Sequence, residues 1–117
     1  MRYMFLIYGE EPSTDAPPNP EDFQGVMDAY NNFTKEVADA GVLLAGDALN
    51  GIATATTVQV RDGKTLTTDG PFAETKETLG GFYMIECKDL DDAIAWAAKL
   101  PGSWHGKVEI RPVMEFD

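Results

Sequence analysis

The side chains best suited to chemistry in this chain of 117 residues gather in one polar stretch, Thr68-Asp-Gly-Pro-Phe-Ala-Glu-Thr-Lys-Glu-Thr-Leu-Gly-Gly81. Asp69 and Glu74 are carboxylates that serve as general bases when partly desolvated, because burial disfavours the charged form and lifts a carboxylate pKa toward neutrality. Further along, Arg111 can hold an anionic substrate group or a developing enolate, and Tyr8 or Tyr83 can donate a hydrogen bond to it. Phe72, Lys76, Asp47 and Glu109 complete a candidate binding set. Such a group would act on a small organic molecule. Each residue also has a structural role open to it: Asp69 caps a turn, Glu74 and Lys76 are solvated, Asp47 marks a bulge or strand end, and Glu109 pairs with Arg111.

Other chemistries fit less well. Asp47, Asp69, Glu74, Glu77 and Glu109 offer oxygen ligands without a spaced motif, so no metal and no other cofactor is expected. Cys87, the single cysteine, lies in an apolar run without a basic partner and reads as an inert core thiol. His105, the single histidine, sits in a loop with none of the companions a zinc site needs. Gly80-Gly81 precedes a strand and lacks the glycine-lysine pattern of a phosphate-binding loop.

The formal net charge of −11 argues against nucleic acid or an anionic membrane as a partner, since both reward clustered Lys and Arg. No charged leader runs into an apolar signal core, and no apolar run reaches membrane-spanning length. A soluble, cytoplasmic protein of one domain over residues 1–117 is expected.

The elements that must position these residues follow in order. Tyr3 to Tyr8 is apolar at odd and even positions alike, as in a central strand buried on both faces. Gly9 to Pro20 is a proline-rich loop, expected to be mobile. Asn19, Pro20, Glu21 and Asp22 then supply a cap, a first-turn proline and acids suited to a helix N-terminus. Phe23, Val26, Met27, Tyr30, Phe33, Val37 and Ala38 form that helix's core-facing stripe, and Gly41 ends it.

Val42 to Leu49 is a second strand. In TTVQVR-DG-KTLTT, Asp62-Gly63 predicts a two-residue hairpin turn that pairs Arg61 with Lys64, Val60 with Thr65, Gln59 with Leu66 and Val58 with Thr67. Extending that register leaves Asp69 beside Thr56. Phe82 to Cys87 is the next strand, entered through Gly80-Gly81, which permits a sharp bend or a close backbone approach. Asp89 caps a second helix whose buried stripe is Leu90, Ala93, Ile94, Ala97 and Leu100, with Trp96 sealing the core margin. Ser103 to Gly106 is a loop. Val108 to Val113 closes the fold, with Glu109 and Arg111 on one face.

Two strand-helix-strand units predict a ferredoxin-like α+β sandwich with an inserted β-hairpin and both helices on one sheet face. Of the sets Tyr3, Phe5, Ile7 and Met4, Leu6, Tyr8, one then stays uncovered. A homodimer packed sheet to sheet would cover it.

The segment TDGPFAETKETLGGF (Thr68 to Phe82) closely resembles the signature of the DGPF family, also called YCII-related proteins. RYMFLIYG (Arg2 to Gly9), AGVLLAGDAL (Ala40 to Leu49), ATTVQVRDGK (Ala55 to Lys64) and VEIRPV (Val108 to Val113) extend the resemblance over nearly the whole chain. It implies a ferredoxin-like fold and a dimeric α/β barrel. For smaller YCII relatives it implies a histidine-aspartate pair in the site. No histidine occurs here in the first helix or its neighbouring strands, so that pair is not carried over. The resemblance also implies a regulatory link to an extracytoplasmic-function sigma factor.

Two functions are therefore in play. One is a cofactor-independent enzyme of the isomerase, lyase or oxygenase kind, with its site in the dimer barrel near the signature stretch. The other is a noncatalytic module that senses a small ligand or docks a regulatory partner. A proton-transfer enzyme needs a buried carboxylate beside a pocket; a binding module does not.

Overall fold

The computed structural model describes residues 1–11 and 20–116, Pro20 through its backbone only. Most of the expected loop after Gly9, and Asn19 as a helix cap, lie outside the described residues. The elements are β1 (Arg2–Gly9), α1 (Pro20–Asp39), β2 (Leu43–Ala48), β3 (Thr56–Arg61), β4 (Lys64–Asp69), β5 (Thr78–Glu86), α2 (Leu90–Ala98), a single turn α3 (Gly102–His105) and β6 (Lys107–Pro112). Four strands pair in the order β2-β5-β1-β6, all antiparallel, an α+β arrangement compatible with a ferredoxin-like fold.

Alternation along β1 sorts the sheet into two faces. Tyr3 and Phe5 pack into the core with Ile85 of β5, Phe33 and Val37 of α1, and Ala93, Ala97 and Leu100 around α2. Both helices therefore share one face. Met4, Leu6 and Tyr8, with Phe82 and Met84 across from Leu6 and Met4, point the other way and no helix covers them. Along the edge strand β6, Lys107, Glu109 and Arg111 stand opposite Tyr8, Leu6 and Met4 and share this open face.

Each helix departs from its expected stripe in a way that matters later. On α2, Ala93, Ala97 and Leu100 are buried and Trp96 packs at the margin, while Leu90 and Ile94 are about half exposed. The stripe is rotated toward Trp96, which packs against the core where Leu90 and Ile94 do not. Asp89 caps α2 as expected, its Oδ1 accepting from Asp92 N at 2.8 Å. On α1, Tyr30, Phe33 and Val37 reach the core, but Phe23, Val26 and Met27 remain exposed. The first half of α1 overhangs the sheet rather than resting on it.

The hairpin pairs in the expected register from Arg61 opposite Lys64 to Thr56 opposite Asp69. Asp62 and Gly63 take φ of 53° and 75°, the positive pair that a two-residue hairpin turn requires. β3 and β4 form a sheet of their own. The signature stretch is shorter as a connector than its composition predicts, because β5 begins at Thr78 rather than Phe82. Gly80 sits in a bulge: Ile7 pairs with Gly81 and Tyr8 with Leu79. Gly81 lies so close beneath β2 that a Cβ there would stand 2.9 Å from the Asp47 carbonyl oxygen. Ser103 to Gly106, expected as a loop, holds the helical turn α3, tied by Trp104 Nε1 donating to the Ala98 carbonyl at 2.9 Å.

Candidate functional site

The residues singled out from the sequence are spread over four places. Asp69 ends β4 at the root of the hairpin, and Phe72, Glu74 and Lys76 follow it on the connector, all four exposed. Glu109 and Arg111 lie on the open face, where no ion pair joins them. Tyr8 also belongs to that face, and Asp47 stands opposite Phe82 on it. Tyr83 alone points toward the helices, opposite Phe5. No hydrogen bond or ion pair among the described residues links any two of Asp69, Glu74 and Arg111.

Two charges of the signature stretch brace the connector instead. Lys76 Nζ lies 3.2 Å from Glu10 Oε1, and Glu77 forms an ion pair with Lys107 on β6. Thr75 Oγ1 donates to the Glu77 carbonyl at 2.6 Å. Glu11 Oε1 accepts from Ile52 N at 2.6 Å, fastening the chain after β1 to the turn after β2.

Two cavities open at this end of the molecule. The larger, about 770 Å³, is a groove between the overhanging half of α1 and the ends of β2 and β5. Its apolar walls include Ile7, Val26, Met27 and Leu43, and its polar side chains include Tyr30, Asn31, Thr34 and Tyr83. The volume is that of an ordinary small-molecule site. The smaller, about 660 Å³, lies where the open face meets the hairpin root, between Tyr8 and Leu79 on one side and Ala55, Pro71 and Phe72 on the other. Leu49, Asn50, Gly51 and Thr78 line both cavities and form the wall between them.

Within the groove the polar groups are ordered. Thr34 Oγ1 and Tyr83 Oη are 2.8 Å apart, and the Tyr83 ring meets Phe33 edge-on with centroids 5.0 Å apart. Gly46 makes space for that ring, since a Cβ at 46 would stand 2.7 Å from Tyr83 Cδ1. Burial, and after it the neighbouring Tyr83 phenol, push the Tyr30 hydroxyl above its ordinary 10.0, against a hydrogen bond with the Gly102 backbone that works the other way. Tyr30 is a neutral donor throughout the physiological range.

Among the described residues, the charged ones bordering the groove are Glu10, Glu11 and Asp47, all exposed, with Asp47 at a position that alternates to the open face, and no Lys or Arg lines it. Among the described residues, no Asp or Glu is buried, so no carboxylate is buried beside either cavity. No group of three or more His, Cys, Asp and Glu is placed to hold a metal ion among the described residues.

The YCII-related domain family matches residues 1–117. The chain belongs to the YCII-related domain family. A relative of this YCII-related protein, an uncharacterized protein of Rhizobium meliloti (strain 1021), is 37% identical over 115 residues, which span 97% of this chain and 92% of that one. Among the described residues of the YCII-related protein, no helix is long and apolar enough to cross a membrane.

Tyr30 and Thr34 are the groove residues that sequence reasoning passed over. The apolar spacing of α1 places Tyr30 in the core stripe, where it does pack, and leaves Thr34 out. The signal was their spacing: four residues apart on a helix, a phenol and a hydroxyl fall on one face.

Proposed function

We propose that this YCII-related protein is a homodimer that binds a small organic molecule in the α1 groove, and that it binds the ligand rather than catalysing proton transfer on it. The observation that carries the reading is the Thr34–Tyr83 hydroxyl pair, held 2.8 Å apart in a groove whose walls include Ile7, Val26, Met27 and Leu43. An apolar wall with a few fixed hydroxyls selects a ligand with an apolar body and one or two oxygen or nitrogen atoms. Glu10 and Glu11 on the lining, with no cation there among the described residues, favour a neutral or cationic molecule over an anion. Arg111, read from the sequence as an anion holder, lies on the other face of the sheet and would not reach this ligand.

A cofactor-independent isomerase, lyase or oxygenase would have to remove a proton with a desolvated base. The groove offers exposed carboxylates only, of which Glu10 is paired with Lys76 and Glu11 with the Ile52 amide. Reversible binding, as in a ligand sensor, asks for no such base.

The dimer is supported by area. The chain exposes 8568 Å², against about 6,300 Å² for a compact monomer of its length. An excess on the order of 2,000 Å² per chain is what an obligate homodimer covers. Met4, Leu6, Phe82 and Met84 on the open face are the side chains such pairing would bury.

The test is an unbiased ligand screen by thermal shift and native mass spectrometry, run on the wild type and on Tyr83→Phe and Tyr30→Phe. The expected result is a neutral or cationic ligand recovered with its mass unchanged, bound about tenfold more weakly by each variant. A ligand converted to a different mass would establish an enzyme in place of a binder. Binding untouched by both variants would move the site out of the groove.

A further inference from the structure

We propose that the β3–β4 hairpin is an intermolecular arm that docks on a second copy of this chain, with Arg61 and Lys64 at its tip pairing with that copy's acidic surface. The inference rests on the dimer proposed above and goes further by assigning a second contact region to it.

The hairpin is a ribbon without a support. It pairs only with itself, and of residues 56–69 all are exposed except Thr57, which is partly buried. Val58 and Val60 occupy one face at 58% exposure each, and Leu66 occupies the other at 49%. An isolated two-stranded ribbon is at best marginally stable in water, even with a strong turn. Its own packing does not explain three large aliphatic side chains on two bare faces.

Charge identifies what covers it. Arg2, Lys35, Lys76, Lys99 and Lys107 each hold a carboxylate within the chain. Lys88 and Arg111, elsewhere on the chain, have no such partner among the described residues, and neither do Arg61 and Lys64; Arg61 donates only to the Val60 carbonyl. Arg61 and Lys64 are cross-strand neighbours, so two unpaired cations share the tip of an arm on a chain whose net charge is −11. A second copy of that acidic chain is the complementary surface, and two cations are too few for nucleic acid.

Position agrees. The hairpin root borders the cavity walled by Tyr8 and Leu79, so the arm leaves from the open-face end of the sheet. Six-residue strands reach about 20 Å. The chain measures 47 × 46 × 18 Å, and its shortest dimension is filled by one sheet and one helix layer. An arm of that length is longer than the slab is thick, so it lies along the slab rather than across it.

Sedimentation equilibrium on the full chain tests the arm, comparing wild type with R61E/K64E and with Val60→Asp, each checked for its fold by circular dichroism. The expected result is a dimer whose Kd rises at least tenfold in each variant, and whose wild-type Kd rises with salt while that of R61E/K64E does not. A wild-type dimer left unchanged by both variants would overturn the arm and leave the dimer standing; a wild-type monomer at micromolar concentration would overturn both. Hydrogen exchange on the unmodified protein gives a second measurement that needs no variant. Amides of residues 57–68 should gain protection as concentration rises through the dimer transition, and protection independent of concentration would also refute the arm.

Discussion

The hydroxyl of Thr34 on α1 lies 2.8 Å from that of Tyr83 on β5, so one hydrogen bond joins the overhanging helix to the sheet at the floor of the groove. Removing it tests whether the pair serves folding or binding. Tyr83→Phe keeps the ring against Phe33 and is expected to cost about 1 kcal/mol of stability, read as a small shift in urea midpoint. Thr34→Val should cost about as much, and the double variant less than the sum, because the two changes remove the same bond.

Two glycines separate side-chain from backbone crowding. In Gly46→Ala the new Cβ meets the Tyr83 ring at 2.7 Å, and the ring can shift to relieve it, at a cost of about 1–3 kcal/mol. In Gly106→Ala the Cβ would lie 2.1 Å from the Tyr8 carbonyl oxygen, where only backbone movement gives relief. Chemical denaturation should rank Gly106→Ala as the more damaging. Ligand binding should rank them the other way among molecules that remain folded.

Phe5 is fully buried at the centre of the core, touching both helices' cluster. Phe5→Ala is expected to cost about 3–5 kcal/mol. Asp89→Ala removes only the cap on α2 and should cost about 1 kcal/mol. Thermal unfolding of the two variants side by side checks the order.

The Cys87 thiol is pushed from 9.0 to about 11, by burial first and then by the Asp92 carboxylate. The folded chain thus keeps its proton where the unfolded chain has lost it. Stability from this group is unaffected below about pH 9 and falls as pH rises from there toward 11. Urea midpoints measured across that window should decline in the wild type more steeply than in Cys87→Ala. At pH 8 an alkylating reagent should label Cys87 only as the protein unfolds.

Much of the fold was legible because it is written in local signals. Asp62-Gly63 predicts the hairpin register down to Thr56 opposite Asp69, since the turn type fixes every pair after it. The alternation of Tyr3, Phe5 and Ile7 with Met4, Leu6 and Tyr8 anticipates two faces with only one covered. The start of β5 was not legible: Gly80-Gly81 reads as a break, whereas long-range pairing with β1 and β2 holds both glycines in the strand. The site was less legible still. The polar signature drew attention to Asp69 and Glu74, while Lys76 and Glu77 turned out to be fastened to Glu10 and Lys107. The groove depends instead on where α1 stops touching the sheet, a tertiary fact that a uniform apolar stripe from Phe23 to Val37 does not disclose.

The bulge at Gly80 sets the parity of everything that precedes it on β5. With it, Thr78 falls on the groove side opposite Gly9 and Leu79 falls beside Tyr8 on the open side. An unbulged ladder of the same sequence would set Gly80 opposite Tyr8 and exchange the two, placing a hydroxyl where the sheet is apolar and a leucine in the wall of the groove, whereas deleting Gly80 itself would leave both pairs as they are. The codon for Gly80 is thus one that descendants of this chain could shed while both compartments kept their chemistry.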